Sequence, residues 1–119
     1  MELYWSAFYR DYTEEEVRHF APREGGVYLL WVRTKSRKWR CFYVGESENV
    51  EEALLRHLSP EEENVALREQ LREFVCGFEF ARVAGAEERG RIVKYLYDRY
   101  QPNLNVSDPG GVPLEVNAP

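Results

Sequence analysis

The stretch that decides the fold is CFYVGESENVEEALLRHLS, residues 41–59. It opens with the apolar pattern of a strand, reaches Gly45, and continues with the spacing of an amphipathic helix over 49–58. That helix carries Ala53 and His57 on its apolar stripe. A turn from strand through glycine to helix exposes backbone groups, so the pattern predicts a polar site at this point.

The rest of the chain surrounds this turn with short elements. Apolar and alternating runs predict three strands, of which the first is central because it is apolar on both faces; they cover 26–33, 39–45 and 77–84. Helical spacing predicts helices over 13–20, 49–58, 59–75 and 86–102. Thr13 is the expected N-cap of the first helix and Ser59 of the third, with Pro60 at its first helical position. The order indicates an α/β domain with a small three-stranded sheet flanked by helices.

Length and composition indicate one folded domain. The chain has 119 residues, 44% of them hydrophobic, enough for a single core. We expect an N-terminal arm and helix over 1–24, a core over 25–105 and a Pro/Gly-rich tail over 106–119. A net charge of -5 argues against tight nonspecific binding of nucleic acid by the whole surface. The sequence shows no membrane span and no secretion signal, and its two cysteines lack metal spacing, which predicts a cytoplasmic protein with free buried thiols.

Two triplets resemble a known signature. Gly26-Val27-Tyr28 lies on the first predicted strand and Tyr43-Val44-Gly45 on the second, and YQPNLN follows the last helix at residues 100–105. In this order, with a helix after the second triplet, they resemble the GIY-YIG endonuclease domain over about residues 25–105. Each triplet alone is a weak signal, but the ordered set is fairly specific for that fold.

The resemblance implies a set of site residues. Tyr28 and Tyr43 would line a shallow cleft, and Asn105 would support it. His57 stands where many members of the family have a histidine. The family also uses an arginine on the helix after the second triplet for the phosphate, and a glutamate on the last helix for one divalent cation, commonly magnesium. These residue types suit the chemistry, since a hard cation needs a carboxylate and an arginine fork matches phosphate oxygens.

The two charged family positions do not match. Counting from Gly45 places the arginine at Ala53, and counting back from Pro102 places the glutamate at Val93. We expect both side chains to be buried, facing the sheet near the two tyrosines. The prediction is a degenerate domain with no metal ligands and no cofactor. The alternative is an active endonuclease that uses Mg²⁺ or Mn²⁺ with displaced residues, Arg56 for the phosphate and Glu46 for the metal.

A basic segment lies between the first two strands. RTKSRKWR, residues 33–40, contains Trp39 and five cations: Arg33, Lys35, Arg37, Lys38 and Arg40. In an acidic chain this predicts a polarised hairpin tip that could bind DNA, although a merely solubilising loop has the same composition. Binding to another protein, or a purely structural or dimerising role, stays open at this point.

Overall fold

The computed structural model describes residues 1–119. The elements follow the predicted order. Four helices are α1 (Glu14–Phe20), α2 (Val50–Leu58), α3 (Val65–Glu73) and α4 (Ala86–Tyr100). Three strands are β1 (Gly26–Arg33), β2 (Trp39–Ser47) and β3 (Cys76–Arg82). No helix is both long and apolar enough to cross a membrane.

The strands form one antiparallel sheet in the order β2-β1-β3. The central position of β1 confirms the prediction from its two apolar faces. In the register, Tyr28 pairs with Gly45 of β2 and with Phe80 of β3. β1 and β2 are close in sequence and are joined by a hairpin, whereas β1 and β3 pair over a long separation in sequence.

Two apolar cores cover the two faces of the sheet. The first packs residues of α1, α2 and α3, including Val17, Leu54 and Leu67, against Tyr28 and its neighbours. The second packs α4 against the opposite face, where Ile92 and other α4 residues meet the odd-numbered side chains of β1. Because β1 is buried on both faces, it holds the two layers together.

Two element boundaries differ from the prediction. The strand expected to break at Gly45 continues to Ser47, because residues 45–47 remain paired with β1. The helix expected over 59–75 is wrong for residues 59–64. Ser59 ends α2, since both its N–H and its hydroxyl donate to the carbonyl of Arg56. Asn64 is the true N-cap of α3, because its side chain accepts the N–H of Leu67. The other boundaries lie within two residues, and Thr13 caps α1 as expected.

Residues near both ends of the chain extend the sheet side by side. The arm over 3–12 bridges β3 through Trp5 with Ala81 and through Tyr9 with Phe78. Leu3 in turn is held by Asn117, whose side-chain oxygen accepts the Leu3 N–H at 2.5 Å and whose amide donates to the Leu3 carbonyl at 2.9 Å. The arm therefore packs as a poorly regular fourth strand, and residues 114–118 cover the second core.

Several titratable groups are buried in these cores. The Glu79 carboxyl lies on β3, and burial raises its pKa to about 7. The buried indole nitrogen of Trp31 faces this carboxyl and partly opposes the rise in its pKa. Cys41 and Cys76 are buried and free, as predicted, and burial raises the pKa of each thiol to about 12. Both thiols are therefore unreactive at neutral pH.

The closest approach in the sheet is between Tyr28 and Gly45. A Cβ atom at residue 45 would lie 2.4 Å from the Tyr28 ring and 2.5 Å from its hydroxyl oxygen. The ring thus crosses β2 over the one residue that leaves room for it. The glycine of the second triplet is required here by the tyrosine of the first.

We expect Gly45→Ala to destabilise the fold by about 1–3 kcal/mol, because the added methyl group overpacks against a buried ring. Gly90→Ala is the matched control, since nothing lies within 4 Å of a Cβ at that exposed position in α4. It should stabilise the protein by about 0.5–1 kcal/mol through helix propensity. Urea denaturation measures both; equal stability of the two variants would contradict the close approach.

Candidate functional site

A chain of buried hydrogen bonds lies beneath the turn from β2 to α2. The Tyr28 hydroxyl is 2.7 Å from Nε2 of His57. Nδ1 of the same ring is 3.1 Å from a carboxylate oxygen of Glu62. All three side chains are buried. α2 supplies the histidine, and the loop over 59–64 turns the glutamate inward.

The protonation states of Tyr28 and His57 follow from their surroundings. Burial raises the pKa of Tyr28 well above its usual value, so the phenol is neutral. Burial also lowers the pKa of His57, an effect that Glu62 partly opposes. The neutral imidazole then donates from Nδ1 to the Glu62 carboxylate and accepts the Tyr28 hydroxyl at Nε2. This arrangement holds a neutral histidine in one tautomer.

Tyr43 lies beside these three hydrogen-bonded side chains, closer to solvent. Its ring stacks on Tyr28 at 6.2 Å between centroids and meets the His57 ring edge-on at 4.9 Å. It lines a groove of 370 Å³ together with His57, Glu62, Arg56 and others. The structure therefore brings together four of the five predicted catalytic residues: Tyr28, Tyr43 and His57 from the resemblance, and the displaced Arg56, which is exposed on the groove wall.

A second groove, also of 370 Å³, lies on the other side of Tyr43, between β2 and α4. Its lining includes Gly45, Val93 and the fifth implied residue, Asn105. The Asn105 side chain accepts the Val44 N–H at 3.0 Å and donates to the Val44 carbonyl at 2.9 Å. It thereby satisfies the free edge of β2 as a neighbouring strand would.

The second groove contains one carboxylate, and that group is already engaged. Glu46 accepts from Nε of the buried Arg89 at 2.9 Å. Arg89 also donates to the carbonyls of Val83 and Ala84, so it fixes the start of α4 against the end of β3. No three acidic, histidine or cysteine side chains are grouped to hold a metal ion. The donor set here does not fit a hard divalent cation, which needs several free oxygen ligands.

The two positions implied for the family's charged residues are both buried. Ala53 is 4% exposed and Val93 is 6% exposed. Ala53 packs in the first core with Tyr28, but Val93 belongs to the second core on the opposite face of the sheet. We expected both side chains to lie near Tyr28 and Tyr43. For Val93 this is wrong with respect to Tyr28, which lies on the other face of the sheet. Tyr43, at the edge of the sheet, lines the second groove together with Val93.

The five cations of residues 33–40 lie away from these grooves. They occupy the tip and flanks of the β1–β2 hairpin, all are exposed, and none forms an ion pair. Arg33 lies five residue steps along β1 from Tyr28, which is a distance of about 17 Å. The hairpin is a separate surface and does not form part of the cleft.

Solved structures of an endonuclease domain have a similar fold. The GIY-YIG N-terminal endonuclease domain of UvrC from Thermotoga maritima, bound to its catalytic divalent cation magnesium, superposes with a TM-score of 0.56. It is 26% identical in sequence and covers 79% of this chain and all of its own. The chain has a GIY-YIG-like fold.

Point mutants of the same UvrC domain match this GIY-YIG-like chain equally well. A tyrosine-to-phenylalanine mutant covers 80% of the chain at 26% identity, and an asparagine-to-alanine mutant covers 80% at 25%, each with a TM-score of 0.56. Both are described as bound to the catalytic divalent cation. No protein-family model matches the chain, and neither does any curated protein sequence. The likeness to these solved structures is thus the evidence that the three-stranded fold is GIY-YIG-like.

Sequence reasoning missed Glu62 in this GIY-YIG-like site. The run of glutamates at 61–63 has the composition of a solvated helix, whereas the structure places it in the loop before α3. A signal was available, because Asn64 is as good an N-cap as Ser59 and stands directly before the apolar run that starts at Val65. Moving the helix start to that position leaves the glutamates in a turn that can reach His57.

We expect the His57–Glu62 pair to make stability fall with acid. Because the folded pKa of His57 is lowered, its contribution is complete above the unfolded value of 6.5 and is lost as pH falls toward the folded value. Glu62→Gln keeps a hydrogen-bond acceptor but removes the charge that opposes this lowering. The stability lost between about pH 7.5 and pH 5 should therefore grow by about 1 kcal/mol in Glu62→Gln.

Urea denaturation at the two pH values measures these losses. His57→Gln is the control, because it removes the titrating ring and should reduce the acid-dependent loss below that of the wild type. A Glu62→Gln variant that loses no more stability than the wild type on acidification would show that the carboxylate does not act on His57.

Proposed function

We propose that this chain is a GIY-YIG nuclease-like domain that does not cleave nucleic acid and serves as a nucleic-acid-binding module. The observation that carries the proposal is the second groove, whose sole carboxylate, Glu46, is paired with Arg89. Val93, at the position that the resemblance implies for the metal ligand, offers this groove no oxygen. A metal-dependent phosphodiesterase without its metal ligand loses the charge stabilisation on which its rate depends.

The inner part of the cleft supports the same proposal. The Tyr28 hydroxyl is committed to His57 and is 2% exposed, so it is remote from any substrate. His57 is held on its other side by Glu62. Tyr28 and His57, which the resemblance implies as site residues, are thus bonded to each other and to Glu62, and the three side chains hold α2 and its following loop on the sheet.

The binding function rests on the charge distribution. The five hairpin cations form no ion pair and no acidic residue lies within residues 33–40, whereas Arg56 at the first groove lies beside the glutamates at 61–63. Five unpaired cations in eight residues give the hairpin a local positive field despite the net charge of -5. The UvrC domains with the same fold are endonucleases, which act on nucleic acid.

One observation favours the alternative of an active nuclease. Arg56 lines the first groove beside Tyr43 and His57, so a phosphate in that groove would meet a guanidinium group. Nearby glutamates at 61–63 would have to provide any metal ligand, and one of them is already bonded to His57. This alternative requires a different metal position from the one implied by the family resemblance.

We expect purified protein to cleave neither duplex nor branched DNA above background with Mg²⁺ or Mn²⁺. Gel assays with labelled DNA and a chelator control measure this, because a metal-dependent activity disappears on chelation. Divalent-dependent cleavage that is lost in Arg56→Ala or Tyr28→Phe would overturn the non-catalytic proposal and establish the alternative.

We expect the protein to bind labelled DNA with a strong dependence on salt, since cations that contact phosphates release counterions. Replacing Arg37, Lys38 and Arg40 with Ala should weaken binding and flatten the slope of log K against log salt by about 2. Fluorescence anisotropy over a salt series measures both quantities.

A second triple variant controls for net charge. Arg10, Arg18 and Arg82 are exposed and lie outside the hairpin, and the last two pair only with exposed glutamates, so replacement of all three by Ala removes the same charge at little cost in stability. This control should bind like the wild type. Equal weakening by both triple variants would mean that the hairpin has no specific role.

A further inference from the structure

The end of the sheet that carries the hairpin has a mixed apolar and basic face. Arg33 pairs with Trp39 on β2. On its other side the Arg33 N–H donates to the carbonyl of Val75 at 3.0 Å, which continues the β1–β3 ladder by one residue. Side chains paired in this way share a face of the sheet. Val75, Arg33 and Trp39 therefore form a row across all three strands.

An aromatic residue from the N-terminal arm completes the row. The Phe8 ring lies over Gly77, where a Cβ atom would be 2.8 Å from it. It meets Trp39 edge-on at 4.9 Å between centroids and Trp31 at 6.3 Å. Phe8 and Trp39 are both half-buried, and Val75 is 54% exposed. The result is an apolar platform, formed by Phe8, Trp39 and Val75, that reaches solvent next to the cations.

The turn at the hairpin tip has an arginine at a position whose backbone conformation favours glycine. The Thr34 N–H donates to Lys38 and the Arg37 N–H donates to Thr34, which is a three-residue loop with a left-handed third position. Arg37 occupies that position with φ 65°. Glycine or asparagine fits there without strain, whereas other residues are disfavoured. Keeping an arginine there adds a charge at the tip at the expense of stability, which points to a function for that charge.

We propose that this platform and the cations around it bind single-stranded nucleic acid, with bases stacked on Trp39 and Phe8 and phosphates on Arg33, Arg37 and their neighbours. The inference rests on the proposed binding function and names its ligand class. Aromatic platforms within a basic surface suit unpaired bases, whose faces are open. In a duplex those faces are covered, so Trp39 and Val75 would gain nothing, and the acidic remainder of the protein would repel the second strand.

The experiment compares an oligothymidine of about 15 nucleotides with a duplex of the same length by fluorescence anisotropy at about 50 mM salt. The wild type should bind the single strand at least about 5-fold more tightly. Trp39→Ala should weaken single-strand binding by about 10-fold and leave duplex binding unchanged, because one stacked base loses its platform. Tyr4→Ala is the matched control, since Tyr4 is 92% exposed and lies off the platform, and it should change nothing.

Two further variants keep the test independent of folding defects. Trp39→Leu retains apolar packing against Phe8 without an aromatic face and should weaken single-strand binding like Trp39→Ala. Arg37→Gly relieves the left-handed strain, so it should fold at least as well as the wild type while binding about 3-fold more weakly at low salt.

The possible outcomes separate this inference from the proposed function. If neither nucleic acid binds, the proposed binding function fails and this inference fails with it. If the duplex binds as well as or better than the single strand, and the Trp39 variants bind like the wild type while the hairpin triple variant is weaker, the binding function stands and the single-strand platform is overturned.

Discussion

The fold depends on the passage of the Tyr28 ring over Gly45. That contact lets a residue of the central strand reach across the edge strand to a helix, and the bond from its hydroxyl to His57 fastens α2 to the sheet. Glu62 then fastens the following loop to the same histidine. The spacing of the two sequence triplets is thus a packing constraint, since a larger residue at 45 would separate the ring from its partner.

Local patterns in the sequence predict most of the fold, but only part of the candidate site. The strands and the central place of β1 follow from local apolar patterns and from a hairpin, which are short-range features. The positions of Tyr28, Tyr43 and His57 in one cluster follow from the resemblance. Glu62 is missed when the third helix is started at Ser59 instead of Asn64. The burial of Glu79 could not be predicted, because it depends on the tertiary contacts of β3.

The molecule keeps its cleft and its basic hairpin at different places on one sheet. In the cleft, polar groups satisfy each other: Tyr28 with His57, Glu46 with Arg89, and Asn105 with the β2 backbone. At the hairpin, the charges have no internal partner. Internally satisfied polar groups stabilise a fold, whereas unpaired ones leave their interactions for other molecules. This contrast is the physical basis for assigning structure to the first region and binding to the second.

The pairing of Leu3 with Asn117 places a constraint on how the chain folds during synthesis. The arm at residues 3–12 borders β3, but Leu3 acquires its partner only when Asn117 has left the ribosome. Until then, the edge beside Leu3 and the apolar surface beneath residues 114–118 remain uncovered. An exposed strand edge next to apolar surface favours association with other chains, so the nascent protein is most prone to aggregate while residues 114–118 have not yet emerged.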